Sequence, residues 1–160
     1  NPEICAFLSA LGAPTGVMMN TGGTVDMGGF TVTMVRADHS SGGPSAPSEY
    51  LGNPTGLIIK APGEPTIWHM GDTDIFSDMA LMCEIHAPKV VFIPIGDRFT
   101  MSPSTAALAV KRFLPGVEVV VPIHYATFPI LVQDPTPFVD ALKDHPVKVV
   151  VPPSGGSFEV

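Results

Sequence analysis

A layered α/β protein with a mixed sheet is the fold class this sequence predicts. Three observations carry it. The first half reads as short strands joined by glycine turns, which is hairpin structure. From about residue 66 onward, apolar strand-like runs alternate with helical patterns. A chain of 160 residues, 45% hydrophobic and only 14% charged, has the length and composition to bury one full core. Residues 1–160 are therefore expected to form a single domain, without internal repeats.

The elements follow in order. Asn1-Pro2-Glu3 is a helix start, with a cap, a proline in the first turn and an acid. Ile4, Phe7, Leu8 and Leu11 fall at helical spacing and Gly12 ends the run. Val17–Met19 predicts a short strand, Asn20–Gly23 a turn, and Val25 the start of another strand. Gly28-Gly29 turns the chain again into an alternating strand from Phe30 to Val35. Arg36 to Pro54, with Pro44 and Pro47, is a long irregular connection, and such loops inside a compact domain are usually functional or disordered. Leu57–Ile59 and Thr66–Met70 are strands around a Pro62-Gly63 turn. Met79, Met82, Cys83 and His86 make one face of a helix from about Ser77, stopped by Pro88. Val90–Ile93 is a buried strand. Ser102-Pro103 caps a helix carrying Ala106, Ala107, Val110, Phe113 and Leu114. Val119–Val121 is the next buried strand. Asp134-Pro135 starts a helix with Phe138, Ala141 and Leu142, Val147–Val151 is a last internal strand, and Phe158 starts an edge strand.

Charge and cysteine usage narrow the function classes. The formal charge is −7 and no basic cluster is present, which argues against nucleic-acid partners and against anionic membrane. No apolar run approaches the ~20 residues of a membrane span. Cys5 and Cys83 form no Cys-x-x-Cys pair. Two buried free thiols in a reducing compartment, hence the cytoplasm, is the plain reading, with one disulfide as the alternative.

Chemistry concentrates at strand ends. His39 follows the strand ending near Val35, His124 follows the run Val119–Ile123, and Asp72 follows Thr66–Met70 with His69 beside it. The carboxyl ends of strands are where open α/β sheets place their sites. Histidine and carboxylate suit Zn²⁺, Mn²⁺ or iron. The alternative for Asp72 is a cap on the helix near Ser77. His86 and His145 lie at helix ends and read as structural.

Three local words now become recognisable: Val35-Arg36-Ala37-Asp38-His39-Ser40-Ser41, His69-Met70-Gly71-Asp72-Thr73 and Pro122-Ile123-His124-Tyr125. Their order resembles the later metal motifs of the metallo-β-lactamase superfamily. Gly52-Asn53-Pro54, Phe76–Met79, Pro94–Met101 and Thr127-Phe128-Pro129 extend the likeness to predicted metal-dependent hydrolases related to L-ascorbate-6-phosphate lactonase. The resemblance implies a layered αββα sandwich with mixed sheets. It implies two divalent ions, Zn or Mn, with His39 completing the first metal site, Asp72 bridging both as the catalytic carboxylate, and His124 serving the second. A hydroxide shared by the cations would attack an ester, lactone or phosphoester of a small-molecule substrate. His69 would steer Asp72 or a ligand, and Asp97, Tyr50 and Asn53 would line the pocket.

The superfamily's first motif, His-x-His-x-Asp-His, does not occur in this sequence. The expectation is that these residues are the C-terminal two-thirds of a longer protein, a truncated domain keeping three of seven ligands and inactive alone. A competing expectation is a non-catalytic scaffold that self-associates as a homo-oligomer through exposed sheet edge and apolar surface. A third is a phosphotransferase using Asp72-Thr73-Asp74 as aspartyl nucleophiles, for which no matching lysine and phosphate loop are in place.

Overall fold

A computed structural model describes residues 1–14, 16–43 and 49–160. Pro44 and Pro47 of the long connection lie outside the described residues. Seven strands form one mixed sheet whose spatial order is the order of the chain. They are β1 (Thr24–Asp26), β2 (Thr31–Arg36), β3 (Thr55–Lys60), β4 (Ile67–His69), β5 (Val90–Pro94), β6 (Val119–Ile123) and β7 (Lys148–Val149). Strands β1 to β4 pair antiparallel, and β4 to β7 pair parallel. The helices are α1 (Pro2–Ala10), α2 (Met79–His86), α3 (Pro103–Phe113) and α4 (Thr136–Leu142).

Side chains alternate across the sheet, and each face has its own apolar cluster. Ile58, Trp68, Val91, Ile93 and Val120 face Met79 and Cys83 of α2, Ala106 and Val110 of α3, and Phe138 and Leu142 of α4. This is the main core. Val90, Val119 and Val121 point the other way, with Ile67, Phe92, Val150 and Phe158 packed on them. The described residues thus supply one sheet and one helical layer of the expected sandwich.

Local chemistry explains the helix boundaries. Asn1 caps α1 by accepting a hydrogen bond from the Ile4 N–H. Ser102 caps α3 by accepting from the Thr105 N–H, and Lys111 and Arg112 lie in its last turn. Asp134 Oδ1 accepts from both the backbone N–H and the hydroxyl of Thr136 at the start of α4. The bond from the hydroxyl, and to a lesser degree that from the backbone N–H, lowers the carboxyl's pKa.

Four expectations are corrected. Val17–Met19 forms no strand; Val17 and Met18 are exposed and no described strand pairs with them. The last internal strand is confined to Lys148–Val149, because only Val119 and Val120 offer it partners. Phe158 packs beside Phe92 with ring centroids 6.4 Å apart and starts no strand. The helix expected from Ser77 begins at Met79.

Topology brings the predicted residues to one edge. Strands β2 and β4 are both antiparallel to β3, so they run the same way. Strands β5 and β6 are parallel to β4. The carboxyl ends of β2, β4, β5 and β6 therefore share an edge, where β3 begins.

Candidate metal centre

Asp72 leaves the end of β4 through Gly71, which adopts φ +69°. A Cβ at Gly71 would come 2.6 Å from the Thr55 carbonyl oxygen, so the chain can pass there only without a side chain. Asp72 caps no helix. The cap position of α2 is Asp78, and its side chain makes no capping bond. Instead Asp72 Oδ2 lies 3.5 Å from His124 Nε2. The donor spacing can be tested against a metal: two ligand atoms each about 2.1 Å from a tetrahedral ion stand about 3.4 Å apart. The pair fits.

His124 is held at this spot by its backbone. It adopts φ +57°, and Asp97, Arg98 and Ala126 also have positive φ. Four of the five such non-glycine residues described thus lie in the two loops after β5 and β6, and strain of this kind clusters at functional sites. Gly96 permits the arrangement, since a Cβ there would meet the His124 carbonyl oxygen at 2.1 Å and Nδ1 at 2.6 Å. The buried Nδ1 of His124 has no hydrogen-bond partner.

His39 stands at the turn after β2. Its Nδ1 is 2.8 Å from the Ser40 carbonyl oxygen, so the N–H belongs on Nδ1 and Nε2 keeps its lone pair. A ligating histidine commonly donates its other ring N–H to a carbonyl in this way. His39 and Asp72 line one cavity of about 430 Å³, together with Asn1, Ile4, Leu51 and Asn53. Among the described residues, however, no three His, Cys, Asp or Glu side chains are gathered closely enough to hold a metal ion. The two candidates within 4 Å of each other are Asp72 and His124, and His39 lines the same cavity as Asp72.

The remaining candidates separate. His69 turns to the other face of the sheet, where it stacks on Phe92 with ring centroids 5.8 Å apart. Its Nδ1 accepts from the Gly71 N–H at 3.2 Å, so it braces the turn before Asp72 without touching the carboxylate. Tyr50 is exposed and donates to Asn53 Oδ1 at 3.0 Å. Asp97 lines a different cavity, of about 500 Å³, with Arg98, Ile130, Leu131 and Val132. His86 ends α2, and burial, then the charge of Lys60, lowers its pKa. His145 Nδ1 accepts from the Val147 N–H. Sequence reasoning missed Thr73 and Gly96. Thr73 is one of two buried polar residues described, at 1% exposure. A hydroxyl between two aspartates at a strand end was the available signal.

Comparison with known proteins addresses the family and the fold. A family description, "Beta-lactamase superfamily domain", matches residues 4–125. A "UPF0173 metal-dependent hydrolase" of Xanthobacter autotrophicus is 81% identical over 160 residues, covering 99% of this chain and 66% of the relative. A protein of the same description from Azorhizobium caulinodans is 66% identical, covering 100% of this chain and 67% of its own length. The chain thus spans about two thirds of these relatives. Among solved structures, Igni18, a metallo hydrolase from Ignicoccus hospitalis, superimposes with a TM-score of 0.80 at 36% identity, covering 99% of this chain and 66% of that one.

Proposed function

The chain belongs to the β-lactamase superfamily, and on that premise we propose that it is the larger part of a metal-dependent hydrolase acting on an ester, lactone or phosphoester of a small molecule. The observation that carries this reading is the Asp72–His124 pair, 3.5 Å apart at the shared carboxyl edge of β4 and β6. Asp72 and His124 would hold one divalent ion, zinc or manganese, with Asp72 extending towards a second held by His39. When bound, such ions supply Lewis acidity and a water ionised near neutral pH. The chain's own residues do the positioning. Gly71 and Gly96 let the backbone carry the two ligands to one point, Ser40 fixes the tautomer of His39, and Asn53 offers a polar contact at the cavity wall. An acidic chain suits a small-molecule substrate better than nucleic acid.

Three donors spread over two metal positions bind weakly, since catalytic zinc typically takes three protein ligands at one ion. The 160-residue chain alone is therefore inactive in this reading, and its site requires a His-x-His-x-Asp-His segment. The test is metal content by elemental analysis after incubation with Zn²⁺ and Mn²⁺ and removal of excess. Less than about a tenth of an equivalent is expected. Close to two equivalents, lost on His39→Ala, Asp72→Ala or His124→Ala, would overturn the inactive-alone reading. The chain would then be a complete metal site in its own right.

A further inference from the structure

Three connections must agree in position for His39, Asp72 and His124 to act together, and one side chain joins two of them. The hydroxyl of Thr73 accepts a hydrogen bond from the Asp38 N–H at 2.8 Å and donates to the Asp74 carbonyl at 2.8 Å. Its one donor and one of its two acceptor lone pairs are thus used, away from water. The Asp74 N–H donates in turn to the Asp38 carbonyl at 3.0 Å, and the Thr73 carbonyl accepts from the Met101 N–H at 3.3 Å. Asp38 immediately precedes His39, Thr73 immediately follows Asp72, and Met101 ends the loop that begins at Gly96.

We propose that Thr73 is a positioning residue: its buried hydroxyl locks the His39 turn to the Asp72 turn and so sets the spacing between the two ligands. Removing the hydroxyl takes away the acceptor of the part-buried Asp38 N–H and leaves the bond from the Asp74 N–H to the Asp38 carbonyl as the remaining tie between the two turns, so the His39 turn is held less firmly to Asp72. No metal contact by Thr73 is involved. The zinc arm of the test rests on the metal reading given above, while the exchange arm stands without it.

The experiment compares wild type, Thr73→Val, Thr73→Ser and Thr73→Ala by NMR on the full 160-residue chain. One readout is amide hydrogen exchange at Asp38 and Asp74, referred to Val91 and Val120 in the core. The other is the midpoint of a Zn²⁺ titration followed on the ring signals of His39 and His124. Thr73→Val is expected to speed exchange at Asp38 at least about tenfold with the core amides unchanged, and to raise the zinc midpoint about 10–100-fold. Thr73→Ser, which keeps the hydroxyl, is expected to restore both. If Thr73→Val does not fold, Thr73→Ala against Thr73→Ser makes the same comparison. Wild-type exchange in the folded hydroxyl-free variant, or a serine variant no better than alanine, overturns the proposal. A wild-type chain whose histidine signals never respond to zinc is what an incomplete site gives, and the exchange at Asp38 then decides the role of Thr73 by itself.

Discussion

His124 sits in a backbone conformation that a side chain rarely adopts, with its carbonyl and ring pressed against a residue that has no side chain. That contact makes Gly96 the most exacting position at the site. A methyl there would overlap the His124 carbonyl and Nδ1, so Gly96→Ala should drive the imidazole away from Asp72. The expected outcome is a folded protein with the His124 ring signals shifted and its response to Zn²⁺ lost, as after His124→Ala. An unchanged response would mean that the loop after β5 yields without moving the histidine. His39, Asp72 and His124 could be named as candidates from the sequence because each stands in a short local word after an apolar run. Gly96 and Thr73 were not, because what they touch lies 28 and 35 residues away in sequence. Composition and periodicity carry no information about such contacts.

At the scale of elements, legibility followed burial. Helix α3 was read correctly from cap to stop because Ser102, Pro103 and the apolar stripe agree. Val17–Met19 and Phe158 failed because an apolar run becomes a strand only beside a partner, and periodicity does not say whether one is present. Helix α2 gives a chemical consequence of its buried face. It lays Met79 and Cys83 into the core, and burial raises the Cys83 thiol from 9.0 to about 11. At pH 8 a disulfide reagent should therefore modify Cys5, which is partly exposed, and reach Cys83 only after unfolding. Between pH 9 and 11 the unfolded chain gives up this proton before the folded one does, so stability is full below pH 9 and falls as pH rises through that window. Denaturant midpoints at pH 8 and pH 10.5 should separate in the wild type more than in Cys83→Ala.

The whole molecule is less evenly covered than its elements suggest. Three helices pack on one face of the sheet, whereas α1 buries no residue. Ile4, Leu8 and Leu11 of its apolar stripe, with Val17 and Met18 after it, are exposed. Exposed apolar side chains in this number favour association. Sedimentation velocity should show the chain passing from monomer to dimer with concentration, and Leu8→Glu should shift that transition to higher concentration. A monomer at every concentration would show that this stripe is not an assembly surface.

The sequential order of the sheet also bears on how the protein is made. Each strand pairs with the one that precedes it in the chain, so the sheet can lengthen at a single edge as residues leave the ribosome, and no strand has to slip between two already joined. A nascent chain that has reached β5 already carries His39 and Asp72 in place. It lacks the partner of the metal-fitting pair, because His124 arrives only after β6. On the proposed metal reading, this order defers the closing of the Asp72–His124 pair to a late stage of synthesis, when most of the sheet is already standing.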